Sequence, residues 1–275
     1  MDKLLKLDYI ESKINTLIAI IMRSKIYQQA EYYELAFNFV NIRKQINLFE
    51  KFIKIHSRIK VMSVLDIACG PALQLREFAR RGYKSFGIDL SKEMLKYLQM
   101  KAAKENIKVE ITKAGMHNFS LPEKTDFAYI LMGSIAYIKN NNEFISHLKS
   151  VASCLNSGGL YLIENLAMTW ASPNFWKQQK WSMTKDRIKI NATYQLKPVD
   201  ELNQTIEQII KLEINDSGKK ILLEDKDDLK LIFPQEFKTV VEFTDDFEFL
   251  GFFERWSAKK LKKASADNII LLRKK

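Results

Sequence analysis

Gly70 and Asp89 are the two residues whose type and spacing most directly indicate binding chemistry in this sequence. Gly70 lies in the small-residue run Ala68-Cys-Gly-Pro-Ala72, where a backbone can approach a ligand closely. Asp89 follows about twenty residues later, the separation at which an acid after the next strand reaches a ribose. A carboxylate suits that position because it accepts hydrogen bonds from two neighbouring hydroxyls. The pair therefore indicates a nucleoside-containing ligand.

The elements that would position these two residues can be read on either side of them. Val61–Ile67 is a short apolar run rich in β-branched residues, which predicts a strand buried on both faces. A helical pattern follows the small-residue run and ends at Gly82. Tyr83–Ile88 predicts a second strand with Asp89 at its carboxyl end, and Ser91 is placed to cap the next helix. The order is that of a Rossmann-like unit.

The run from Asp66 to Ala72 resembles the first motif, D/E-x-G-x-G-x-G, of class I S-adenosylmethionine-dependent methyltransferases, with only the middle glycine kept. A nicotinamide-binding unit is the alternative, although Leu73 stands where the last glycine of G-x-G-x-x-G belongs. The resemblance implies S-adenosylmethionine as the cofactor. It also implies a cofactor site that includes Asp66, Ala68, Gly70 and Asp89.

The next two strands extend the predicted site. Ile107–Thr112 predicts a third strand, after which Gly115 occupies the place where the family often has an acid. The resemblance then implies that adenine is held by main-chain groups near Gly115 and Met116 and by apolar contact from Leu90 and Met94. A fourth strand begins at Asp126 and ends around Met132, at the edge where open α/β sheets bind ligands.

Two further segments narrow the resemblance. Gly133-Ser-Ile-Ala-Tyr137 resembles the S-I-x-Y segment of amino-sugar N-methyltransferases. Leu155-Asn-Ser-Gly-Gly159, before the predicted fifth strand Leu160–Glu164, resembles the family's L-x-P-G-G. These segments imply an enzyme that transfers a methyl group to a nitrogen or oxygen of a small-molecule acceptor.

The candidate catalytic residues lie at predicted strand ends and in the segment before the first strand. Tyr32-Tyr-Glu-Leu-Ala-Phe37 resembles a Y-D-x-x-Y-type stretch that closes over the cofactor in small-molecule methyltransferases. A phenol there has a physical use, since aromatic faces and oxygens attract the positive sulfonium. The candidates are Tyr33, His117 and Tyr137, followed by Glu164, Tyr27 and Arg43.

The predicted fold is α/β, a Rossmann-like seven-stranded methyltransferase sheet with N-terminal helices and an inserted small antiparallel β-sheet. Residues 1–58 form the helical cap, 59–165 and 234–275 the core, and 166–233 the insert that covers the substrate. Period-two alternation in 188–196 and 206–214 indicates the insert strands. Four aromatics either fasten the insert to the core or roof a substrate pocket: Trp170, Phe175, Trp176 and Trp181.

Composition leaves two alternatives open. The formal net charge of +11 invites an RNA or protein methyltransferase that uses a lysine-rich surface, but the lysines spread along the whole chain. A non-catalytic, cofactor-binding regulatory protein is the other. The two cysteines fit a reducing cytoplasm, and the three histidines have no metal-ligand spacing. We expect no metal, no membrane span and no signal peptide; the oligomeric state is left open.

Overall fold

A computed structural model describes residues 26–166, 168 and 175–275, and a central sheet of seven strands organises them. The strands are β1 Ser63–Ile67, β2 Lys84–Asp89, β3 Glu110–Lys113, β4 Thr125–Ile130, β5 Leu155–Glu164, β10 Phe247–Glu254 and β11 Asn268–Lys274. Their order across the sheet is β10–β11–β5–β4–β1–β2–β3. β1, β2, β3 and β4 run parallel to their neighbours, whereas β11 pairs antiparallel with both β5 and β10. This architecture confirms the predicted α/β class.

Helices cover both faces of this sheet, which explains why its central strands are apolar throughout. Every residue of β1 and of β4 is buried, as expected of parallel strands packed on two sides. The helices are α1 Ala30–Ala36, α2 Ile42–His56, α3 Leu73–Arg80, α4 Lys92–Lys104, α5 Asn141–Ser153 and α6 Pro234–Thr244. Two short 3-10 helices, Ile26–Gln28 and Ser134–Tyr137, complete the set among the described residues.

Local capping chemistry sets several of these helix ends. The Ser91 hydroxyl accepts a hydrogen bond from the Met94 N–H at the start of α4, as predicted. Asn140 does the same for Glu143 at the start of α5. Pro234 opens α6, where its missing N–H costs no helical hydrogen bond.

The predicted insert contains a separate antiparallel sheet of four strands, β6 Gln179–Lys185, β7 Ile188–Asp200, β8 Thr205–Asp216 and β9 Lys219–Lys230, in that order. Its apolar face packs on α1, with Ile190, Leu212 and Leu35 in one buried cluster. The Trp181 indole N–H also donates to the Ala36 carbonyl at 2.6 Å. The insert therefore holds the cap helix against the core.

The fifth strand begins earlier than predicted. β5 starts at Leu155 rather than Leu160, so the glycine pair lies inside the strand, beside a shift in its register with β4. A Cβ at Gly159 would lie 2.5 Å from the Asp126 carbonyl oxygen. Gly159 is therefore required for the close packing of these two strands.

The third strand was also predicted too early. It runs over Glu110–Lys113 rather than Ile107–Thr112, because the first residues after α4 leave the helix before they reach the edge of the sheet. Residues 1–25 of the predicted helical cap lie outside the described residues, as does Trp170. Across the ranges given above, no helix is long and apolar enough to cross a membrane.

Candidate functional site

The loop after β1 adopts a glycine-like backbone at three alternate positions. The φ angles of Ala68, Gly70 and Ala72 are 55°, 53° and 53°, all in the left-handed region that disfavours L-residues other than glycine. A Cβ at Gly70 would meet no atom within 4 Å, so this side of the loop is open. The two alanines therefore keep the conformation of the family's glycines, and only Gly70 offers a bare backbone to a ligand.

Asp89 lies at the carboxyl end of β2 and joins the two loops of the predicted site. One carboxylate oxygen accepts from the Gly70 N–H and the other from the Ser91 N–H, each at 2.8 Å. Burial raises the pKa of Asp89, while the hydrogen bonds from Ser91, Gly70 and Leu90 lower it. A carboxylate has about four lone-pair positions, so Asp89 can still accept a hydrogen bond from a ligand hydroxyl.

A narrow cavity adjoins this loop and brings together five of the predicted residues. Its volume is about 60 Å³, enough for a few water molecules at about 10–15 Å³ each but not for a nucleoside. The cap helix covers it, with Glu34 and Phe37 in its wall. The predicted residues in the wall are Tyr33, Asp66, Ala68, Gly70 and Met132.

Asp66 is enclosed beneath the loop. Burial raises the pKa of its carboxyl well above the ordinary value, and the nearby Tyr129 hydroxyl opposes that rise. The Tyr129 hydroxyl is itself fully buried and makes no hydrogen bond of ordinary geometry among the described residues. This end of the site is therefore poor in hydrogen-bond partners from the protein.

The residues predicted for the adenine edge lie at the ends of β2 and β3. The Leu90 side chain is 71% exposed, whereas Met94 is buried and presents no surface to a ligand in this conformation. Gly115 pairs with Asn118 in a tight turn, and the Met116 carbonyl lies 2.8 Å from His147 Nδ1. His117 is exposed in this turn, with its ring beside Gly115, and it does not line the cavity.

Tyr33 and Tyr137 lie in one aromatic group above the loop. The Tyr33 ring packs against Tyr27 and Phe37, with centroids 5.5 and 4.6 Å away. The Tyr137 hydroxyl lies 2.6 Å from that of Tyr27. Burial, and then the nearby Tyr27 and Asp89, raise the pKa of Tyr33 well above its usual range. A phenol in that state keeps its proton at neutral pH and is not itself a base.

Glu164 is committed to structural contacts. Its carboxylate accepts from Gln45 Nε2 at 2.8 Å and from Arg255 Nε at 3.2 Å, and its other oxygen accepts from the Met132 N–H. Arg43 is exposed on α2. No pattern in the sequence indicated Arg255, which reaches this site from the segment after β10.

The aromatics of the insert have a fastening role where they are described. Phe175 and Trp176 pack in one cluster with Ala136 and Tyr137, and Trp181 contacts the cap through Phe37 and Ala36. Sequence analysis missed two polar insert residues, Gln208 and Asp227, that hydrogen-bond to Tyr137. Alternating strands gave no reason to single them out.

Comparison with known proteins agrees with this geometry. The family described as "Methyltransferase domain" matches residues 64–159, which run from β1 to the glycine pair. Over these residues the chain is similar to methyltransferase domains. A putative methyltransferase, YqeM of Bacillus subtilis, is 30% identical over 37% of the chain and 41% of its own length. A dTDP-3-amino-3,4,6-trideoxy-α-D-glucopyranose N,N-dimethyltransferase of Streptomyces venezuelae is 28% identical over the same shares. The chain thus aligns with less than half the length of these two curated relatives.

Solved structures extend the likeness to the whole fold. An S-adenosylmethionine-dependent methyltransferase from Clostridium acetobutylicum superposes with a TM-score of 0.74 at 17% identity, covering 88% of this chain and 95% of that one. DesVI of Streptomyces venezuelae gives 0.72 at 15% identity, with 96% and 98% covered. The fold is that of S-adenosylmethionine-dependent methyltransferases, which confirms the resemblance predicted from the sequence.

Proposed function

We propose that this protein is an enzyme that transfers a methyl group from S-adenosylmethionine to a nitrogen or oxygen of a small-molecule acceptor. The observation that carries the proposal is the contact between Asp89 and the Gly70 N–H within a methyltransferase domain. That contact sets a carboxylate with free lone pairs beside a bare backbone turn. The residues present therefore fit the nucleoside of the cofactor.

Each part of the cofactor has a counterpart in the chain. Asp89 would bind the two ribose hydroxyls, and the open side of Gly70 admits close approach of the ligand. Gly115 and Met116 offer main-chain groups for adenine, with Leu90 as the apolar contact; Met94 supports this end from below. Asp66, Ala68 and Met132 border the cavity on the methionine side.

The chemistry asks for positioning more than for covalent help. S-adenosylmethionine supplies an activated methyl electrophile when it is bound. The chain's own task is to hold the acceptor atom in line and to exclude water, and such alignment can contribute about 7–11 kcal/mol. Tyr33 closes the site from the cap, and Tyr137 approaches from the end of β4.

The relatives support an acceptor that carries a sugar. One of them is named for methylating an amino group of a nucleotide-linked sugar, and a solved structure of similar fold is a sugar N-methyltransferase. We therefore propose an amino-sugar acceptor as the narrower form of the function.

The free thiols of Cys69 and Cys154 support a reducing, cytoplasmic location.

The lysine-rich surface does not favour an RNA acceptor. Lys260, in the basic run 259–263, donates to the Leu250 carbonyl and lies over the Phe253 ring. That run belongs to the connection between β10 and β11, and none of its residues lines the cavity. The charge therefore supplies no base-stacking surface at the site.

Calorimetric titration with S-adenosylhomocysteine tests the cofactor assignment. We expect Asp89→Ala to weaken binding at least tenfold, because two hydroxyls lose a charged acceptor worth about 1.5–3 kcal/mol per hydrogen bond. Asp228→Ala, at an exposed position on β9, is the control and should bind like wild type. Equal affinity of Asp89→Ala and wild type would show that the assignment is wrong.

A further inference from the structure

A cluster of phenols lies where the cap, the 3-10 helix after β4 and the insert sheet meet. It consists of Tyr27, Tyr33 and Tyr137, and we refer to it as the phenol cluster. All three side chains are partly exposed to solvent, and we call the solvent-facing side of the cluster the crevice. Its polar partners, Gln208 on β8 and Asp227 on β9, come from the insert.

All three hydrogen bonds of Tyr137 can form at once in only one set of directions. Its oxygen receives the Gln208 Nε2 donor at 2.8 Å, and it lies 3.4 Å from Asp227 Oδ2. A carboxylate only accepts, so the single Tyr137 proton points to Asp227. The Tyr27 hydroxyl, 2.6 Å away, must then donate its own proton to Tyr137.

This arrangement leaves the Tyr27 oxygen as an acceptor with no proton to give. Tyr27 donates to Tyr137, and Tyr137 donates to Asp227. The carboxylate therefore polarises both hydroxyls and makes the Tyr27 oxygen a stronger acceptor toward the crevice. Burial raises the pKa of Tyr27 well above its ordinary value, so the Tyr27 hydroxyl keeps its proton at neutral pH. The Tyr27 oxygen can therefore accept a hydrogen bond from a ligand, and a positively charged donor is favoured.

The crevice adjoins the proposed cofactor site. Tyr33 lines the cavity beside Gly70, and Ser134, on the same 3-10 helix as Tyr137, lines it too. Ser91 lies two residues after Asp89, and its hydroxyl donates to the Tyr27 main-chain carbonyl at 3.1 Å. The phenol cluster therefore lies beside the site in which Asp89 would hold the ligand.

We propose that the phenol cluster receives the amino group of the acceptor, bound as an ammonium at the Tyr27 hydroxyl oxygen with Asp227 as its counter-charge. This inference rests on the proposed function and specifies nitrogen as the atom that is methylated. Aromatic faces within about 6 Å of a cation add to its binding, and Tyr27, Tyr33 and Tyr137 present three such rings.

The proton balance favours an amine over an alcohol. The ammonium gives one proton to the Tyr27 oxygen, Tyr27 passes its own to Tyr137, and Tyr137 passes its own to Asp227. The freed nitrogen lone pair then forms the bond to the methyl carbon as the carbon–sulfur bond breaks, which leaves a neutral thioether. An alkylammonium has a pKa of about 10.4, whereas the pKa of an alcohol hydroxyl lies far higher, so an amine loses its proton to this series of groups more readily than an alcohol does.

The test compares an amine with its matching alcohol on the cofactor-loaded protein. Wild type saturated with S-adenosylhomocysteine is titrated with dTDP-3-amino-3,4,6-trideoxy-α-D-glucopyranose and with the same sugar carrying a 3-hydroxyl. We expect the amine to bind at least tenfold more tightly. Asp227→Asn should remove at least tenfold of the amine's affinity and leave that of the alcohol unchanged.

Asp228→Asn is the matched control, because it makes the same charge change one residue away, at an exposed position of the same strand. Tyr137→Phe is the second variant: it keeps the ring, interrupts the donor chain and should also lose the amine preference. The proposal is overturned if the amine binds no more tightly than the alcohol, including if it does not bind. It is equally overturned if Asp227→Asn and Asp228→Asn behave alike. Failure of S-adenosylhomocysteine itself to bind would instead contradict the proposed function.

Discussion

At the scale of single residues, the loop after β1 holds two alanines in a left-handed backbone conformation that favours glycine. Ala68 and Ala72 hold φ values of 55° and 53°, where an L-residue costs about 1–2 kcal/mol relative to the right-handed region. The Asp89 hydrogen bond to Gly70 and the packing of β1 against β2 fix the loop from both ends. Contacts outside the loop therefore offset the free-energy cost of this backbone conformation.

Ala68→Gly should therefore stabilise the protein. Relief of the left-handed backbone outweighs the loss of one partly exposed methyl group, and we expect a gain of about 0.5–1 kcal/mol in the free energy of unfolding. Urea denaturation measures the change. Ala79→Gly, the same substitution inside α3, is the control and should destabilise by about 0.5–1 kcal/mol. A loss of stability in Ala68→Gly would contradict the strain argument.

At the scale of elements, the cap helix α1 is held over the cavity by a buried ion pair. Glu34 on α1 binds Arg76 on α3 at 2.6 Å, and Arg76 also binds the Pro71 carbonyl in the loop and Glu105 after α4. The cavity beneath α1 lies beside the loop that carries Gly70. We therefore expect the cap to shift when the cofactor binds and when it leaves.

Glu34→Ala should loosen the cap and accelerate cofactor release. Arg76 keeps Glu105 as a partner, so the core retains its ion pair while the cap loses a charged hydrogen bond worth about 1.5–3 kcal/mol. We expect S-adenosylhomocysteine to dissociate roughly tenfold faster in stopped-flow displacement, since about 1.4 kcal/mol is a factor of ten. Glu31→Ala, in the exposed first turn of α1, is the control. An unchanged dissociation rate in Glu34→Ala would show that this pair does not restrain the cap.

At the scale of the whole molecule, Glu164 joins four parts of the chain that are far apart in sequence. Its carboxylate connects α2 through Gln45, the end of β4 through Met132 and the segment after β10 through Arg255. The side chain of Glu164 is 1% exposed. Without Arg255, a buried carboxylate would be left with neutral partners alone.

Arg255→Ala should therefore destabilise the protein by about 3–5 kcal/mol, the usual cost of removing one member of a buried ion pair. Equilibrium unfolding in urea measures this loss. Arg58→Ala removes an arginine from an ion pair in which 67% of its side chain is exposed, and it should cost less than about 1 kcal/mol. Equal losses in the two variants would show that Glu164 does not depend on Arg255.

The sequence by itself determined the features that depend on residues close together in the chain. The spacing of Gly70 and Asp89 and the cap at Ser91 act within one βαβ unit, so their patterns predicted the α/β fold. The edge strand β3 was misplaced, since few neighbours constrain it.

Only the tertiary structure decided which distant side chains meet at that site. Tyr27, Tyr137 and Asp227 are separated by about a hundred residues at each step, and Glu164 lies far from Arg255 in the chain. Such contacts depend on the order of strands and on how the insert packs over the cap, because hydrophobic patterning fixes which face of a strand is buried but not what it faces. The phenol cluster could therefore be found only in the folded chain.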